Sequence, residues 1–83
     1  MPSIGQIVER KEVVPYLDAR GLLAQYKKAK GYLLAGSSLQ VKFKKRNPKG
    51  SGIWSFRINK QFRALGVFNT EGQLIIFKID NHQ

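Results

Sequence analysis

The sequence predicts an α+β fold. A short N-terminal strand precedes two helices packed on one face of an antiparallel, three- to four-stranded C-terminal sheet. Three observations carry this. An apolar stripe at helical spacing runs from residue 22 to residue 33. From residue 39 the apolar period drops to two, that of a half-buried strand. The chain has 83 residues, which suits one domain spanning 1–83. At that size, folding buries only about 60–65% of the surface the unfolded chain exposes, leaving little room for an internal ligand cavity.

Each element follows in order. Residues 4–10, IGQIVER, read as a strand of moderate alternation. In KEVVPYLDAR, Val13, Val14 and Leu17 suit a short helix in which Pro15 is tolerable only within the first turn. Gly21 is placed to close it. In LLAQYKKAKGYLLAG, Leu22, Tyr26, Ala29 and Leu33 share one stripe, with Lys27, Lys28 and Lys30 mostly outside it, so the stripe reads as core. Next, LQVKFKKR alternates Leu39, Val41 and Phe43 against Gln40, Lys42, Lys44 and Arg46, as a strand or the lead-in to one. NPKGSG is a loop by composition. IWSFRIN, FRALGVF and QLIIFKI complete the strands, the last two joined by NTEG.

Register decides where the arginines of WSFRINKQFRALG point. A two-residue loop would set Arg63 among Trp54, Phe56 and Ile58, and burying an unpartnered guanidinium there costs several kcal/mol. A three-residue loop pairs Ile58 with Phe62, Arg57 with Arg63 and Phe56 with Ala64. It sets two cations side by side in water, at about 1 kcal/mol or less. The three-residue loop is therefore expected, and it makes core the expected place for Trp54 rather than stacking on a nucleobase. A four-residue loop at Asn69–Gly72 would then pair Ala64 with Phe77, Arg63 with Lys78 and Leu65 with Ile76. This puts Ile75, Phe77 and Ile79 in the core. The opposite face would hold Arg57, Arg63 and Lys78 at one end and an apolar patch of Leu65, Val67, Leu74 and Ile76 at the other, suited to a protein partner.

Charge is the strongest compositional signal. Fifteen Lys and Arg against five Asp and Glu give +10, and residues 42–63 hold eight basic side chains and no acidic one. Such a field favours nucleic acid, ribosomes, anionic membranes or an acidic protein. The bland alternative is a solvated surface. With no cysteine and one histidine, a transition-metal site is not expected, nor is any cofactor. No signal segment or membrane-length apolar run is visible, and the expectation is a soluble cytoplasmic protein.

GIWSFRINKQFRALG, followed by a short turn, LIIFKI and a C-terminal histidine, resembles the RelE/ParE superfamily of bacterial toxin–antitoxin toxins. The nearest branch is that of the RelE/YoeB-like mRNA interferases. The resemblance covers roughly residues 39–83. It implies a RelE-like fold and a ribosome-dependent, metal-independent endoribonuclease in which the ribose 2′-OH attacks the phosphate. It also implies a cognate antitoxin, expected to be acidic given +10, with the ribosome and mRNA as further partners. Carried over by position, Arg63 would stabilise the phosphorane-like transition state, Arg57 would support it, and His82 would transfer a proton. Lys44 stands as candidate base on the one condition that crowding by like charge favours its neutral amine. Lys42, Arg46, Lys49 and Lys78 would hold the RNA backbone. Two positions depart from the branch: Gln83 follows the histidine where a tyrosine is usual, and residues 39–45 hold no glutamate. The lysine-rich VKFKKR is nearer the RelE-like solution. The alternatives are a ParE-like gyrase inhibitor and a catalytically degenerate RNA- or antitoxin-binding member.

Overall fold

The computed structural model describes residues 4–46 and 50–81. The chain runs β1 (Gln6–Glu9), α1 (Val13–Ala19), α2 (Leu23–Leu34), a 3-10 helix (Ser38–Val41), β2 (Lys44–Lys45), β3 (Ile53–Arg57), β4 (Phe62–Phe68) and β5 (Gln73–Asn81). The strands form one sheet in the order β1-β5-β4-β3-β2. The expected α+β architecture is present with one more strand than expected, because β1 joins the same sheet, parallel to β5. All other pairings are antiparallel.

One face of the sheet is covered by both helices. Leu22, Tyr26, Ala29 and Leu33 are all buried, as their helical spacing predicted, together with Val13 and Leu17 of α1. They meet Ile7, Phe56, Ala64, Leu74, Ile76 and Ile79 from the sheet. Pro15 lies in the first turn of α1, where its missing N–H breaks no helical bond. Gly21, at φ 68°, ends that helix. Trp54 belongs to this layer: its ring stacks on Phe43 at 4.8 Å and meets Phe68 edge-on at 5.8 Å. Among the described residues, no helix is long and apolar enough to cross a membrane.

Two expectations about register meet different fates. The β3–β4 hairpin has the three-residue loop, with Phe56 opposite Ala64 and Arg57 opposite Arg63. Asn59 makes it possible without glycine, because its side-chain oxygen accepts the N–H groups of Gln61 (2.8 Å) and Phe62 (2.9 Å).

The β4–β5 register differs from the expectation. Asn69 N–H donates to the Gln73 carbonyl at 3.0 Å, so the turn is three residues, closed by Gly72 at φ 78°. Phe68 therefore faces Leu74, Val67 faces Ile75 and Gly66 faces Ile76. A bulge follows: Leu65 faces Lys78, Ala64 faces Ile79 and Arg63 faces Asp80, leaving Phe77 as the extra residue. Leu74 and Ile76, expected outside, are buried (1% and 0% exposed), whereas Ile75 and Phe77 are only half-buried. The apolar half of the open face consists of Ile53, Leu65, Val67 and Ile75 instead.

The alternation at Leu39–Phe43 also fails as a strand. Residues 38–41 form the 3-10 helix, packed against α2, and Lys42 takes a left-handed conformation (φ 50°). Val41 and Phe43 are buried while Leu39 is 91% exposed. Of residues 39–46, Lys44 and Lys45 pair with β3, and Arg46 N–H donates to the Ile53 carbonyl at 2.8 Å.

Candidate functional site

The face of the sheet away from the helices gathers the basic residues. Lys42 turns the chain so that Phe43 enters the core and Lys44 pairs with Ser55 of β3. Two positions along β3 from Ser55, and so on the same side, is Arg57, which faces Arg63. These residues enclose a cleft of about 230 Å³. Its walls are Lys42, Lys44, Arg57 and Arg63, and Asn59 and Lys60 of the hairpin loop close one end. Ser55, 2% exposed, is the buried polar residue of the lining. A second basin of about 350 Å³ is lined by Lys44, Lys45, Arg46 and Arg63, so Lys44 and Arg63 stand between the two.

Among the described residues, Arg57 is held in place but not neutralised. Arg57 donates from Nε to the Asn59 carbonyl at 3.2 Å, which ties its guanidinium to the loop. Among the described residues the one ion pair is Lys30–Glu9, on the helix-covered side. Neither Arg57 nor Arg63 has a carboxylate within ion-pair distance there. The bulge does bring Asp80 opposite Arg63, giving a row Arg57–Arg63–Asp80 across three strands. The expected partner at that position was Lys78; the bulge puts Asp80 there instead.

The expected site residues therefore divide. Arg57, Arg63, Lys42 and Lys44 come together around one cleft, and Arg46 lines the adjoining basin. Lys78 does not face Arg63 but Leu65, two positions away from the Arg57–Arg63–Asp80 row. Lys49 and His82 lie outside the described residues. The sequence reading missed Ser55, Asn59, Lys60 and Asp80. Lys60 and Asn59 carried a usable signal as loop residues between two paired arginine positions. Asp80 carried none, since nothing in QLIIFKIDN marks the bulge.

The mixed sheet with β1 parallel to β5 and both helices on one face is a fold seen in known structures. Two solved structures from Staphylococcus aureus share it. A YoeB dimer structure aligns with a TM-score of 0.69 at 16% identity, over 98% of this chain and 99% of that chain. A YoeB–YefM complex aligns with a TM-score of 0.66 at 16% identity, over 94% and 97%. No family model matches the sequence, and no curated protein matches it.

Proposed function

We propose that the chain is a single-domain toxin of a toxin–antitoxin pair that acts in the cytoplasm, cleaving ribosome-bound mRNA without a metal. The observation that carries this reading is the cross-strand pair Arg57–Arg63 at the wall of a basic cleft, on a fold shared with YoeB.

The chemistry asks three things of the protein. A group must take the proton of the ribose 2′-OH as its oxygen attacks the adjacent phosphorus. Cations must stabilise the extra negative charge of the pentavalent phosphorane. An acid must protonate the departing 5′-oxygen, leaving a 2′,3′-cyclic phosphate. Arg63 and Arg57 supply the charge stabilisation, Lys44 takes the 2′-OH proton, and His82 protonates the leaving group. Lys42, Arg46, Lys49 and Lys78 hold the backbone on either side. An acidic antitoxin segment occupies the same cations, and the half-buried Leu65, Val67 and Ile75 offer it apolar contacts.

Induced expression in a bacterial host tests the reading. It predicts rapid translation arrest with cleaved transcripts, abolished by Arg63→Ala in a protein that still folds. Arrest that survives both Arg63→Ala and His82→Ala removes the nuclease. DNA damage with an SOS response would assign the chain to gyrase instead.

A further inference from the structure

Beside Arg57 lies a further concavity that the chemistry above does not use. It is about 320 Å³, at the lower end of the roughly 300–1,000 Å³ typical of small-ligand sites. Ala29, Val41 and Ile58 contribute an apolar lining, all buried core residues. Tyr32 of α2, 38% exposed, adds an aromatic ring. Gln25 and Gln40 bring amides from α2 and the 3-10 helix, and Lys28 brings a cation. Arg57 lines this groove and the basic cleft alike. The border between them is fixed: Asn59 Nδ2 donates to Gln25 Oε1 at 2.8 Å, and Arg57 donates to the Asn59 carbonyl.

We infer that this groove is a subsite for one nucleotide of the RNA strand, next to the phosphate held in the cleft, with Tyr32 as its principal base contact. The inference rests on the nuclease reading for the identity of the ligand. The groove combines an apolar lining and an aromatic ring for a base face, amides that donate and accept for a base edge, and cations for phosphate. Its continuity with the cleft through Arg57 favours RNA over a protein side chain. Arg57 and Tyr32 line the same groove, so one strand can touch both.

The test is binding, measured apart from cleavage. A short 2′-O-methyl oligoribonucleotide, which cannot supply the nucleophile, is titrated with wild-type protein, Tyr32→Phe and Tyr32→Ala by fluorescence anisotropy. Loss of one stacked base predicts about tenfold weaker binding for Tyr32→Ala and near wild-type binding for Tyr32→Phe. Moving an abasic site along the oligonucleotide should find one position at which the Tyr32→Ala penalty disappears. Equal binding by Tyr32→Ala, a penalty unchanged at every abasic position, or no RNA binding by the wild type overturns the subsite. So does a Tyr32→Ala protein that binds RNA normally but loses an antitoxin, which would give the groove to the protein partner. The nuclease reading fails on a different observation, an intact ribosome-bound transcript after incubation with the wild-type protein.

Discussion

Glu9 shows how a single side chain joins β1 to α2. Its carboxylate accepts from the Tyr26 hydroxyl at 2.6 Å and from Lys30 Nζ at 2.9 Å. Burial pushes this carboxyl upward, but the hydrogen bonds from Lys30 and Tyr26 outweigh it and hold the group below its ordinary value of 4.5. Burial, and then the hydrogen bond to Glu9 and its charge, push the Tyr26 phenol well above its usual range. Because Glu9 binds its proton less readily folded than unfolded, its stabilisation is present above pH 4.5 and lost as pH falls through the lower folded value. Glu9→Gln should therefore lower stability by about 1–2 kcal/mol at neutral pH and flatten the acid-side decline, as urea denaturation across a pH series would show. Lys30 was legible only as a cation off the apolar stripe. Its partner was not, since nothing in the local pattern brings Glu9 to the other side of α1.

At the scale of elements, the two hairpins show what alternation can and cannot specify. The β3–β4 register was readable because the wrong choice buries Arg63 among aromatic side chains, a difference of several kcal/mol. The β4–β5 register was not. Both faces of QLIIFKI are apolar, so a shift exchanges Leu74 and Ile76 for Ile75 and Phe77 with no large penalty visible in the sequence. What decides it is the Asn69–Gln73 turn at one end and the bulge at Phe77 beyond. Gly66 belongs to that decision. A Cβ there would come within 2.9 Å of Ile76 Cδ1, 3.0 Å of Leu74 Cδ1 and 3.0 Å of the Ile75 carbonyl oxygen. The space that glycine leaves is thus filled by β5 itself rather than by the helices. Gly66→Ala should cost about 1–3 kcal/mol through overpacking, seen as a lower denaturation midpoint. The lead-in at residues 39–43 failed for a related reason: alternation alone cannot tell a strand from a 3-10 helix followed by a left-handed residue, here Lys42.

Across the whole molecule, the sheet separates two tasks. The helix-covered face supplies the core, and the open face carries cations at one end and half-buried apolar residues at the other. The charge imbalance of +10 was legible from composition, and its concentration on one face followed from the β3–β4 register. Single-stranded RNA bound across this face should weaken with salt, because each neutralised phosphate releases counterions. Replacing Lys42 or Arg46 by alanine should reduce the slope of log K against log salt by about 0.7 each, measured by anisotropy from low to moderate ionic strength. A slope unchanged by either would place the strand elsewhere. The most direct test of the paired arginines is the cleavage rate of ribosome-bound mRNA with wild-type protein and with folded Arg63→Ala. The expected result is cutting that leaves 2′,3′-cyclic phosphate ends and slows about 100-fold or more in the variant. Equal rates for the two proteins, or no cutting by the wild type, would contradict it.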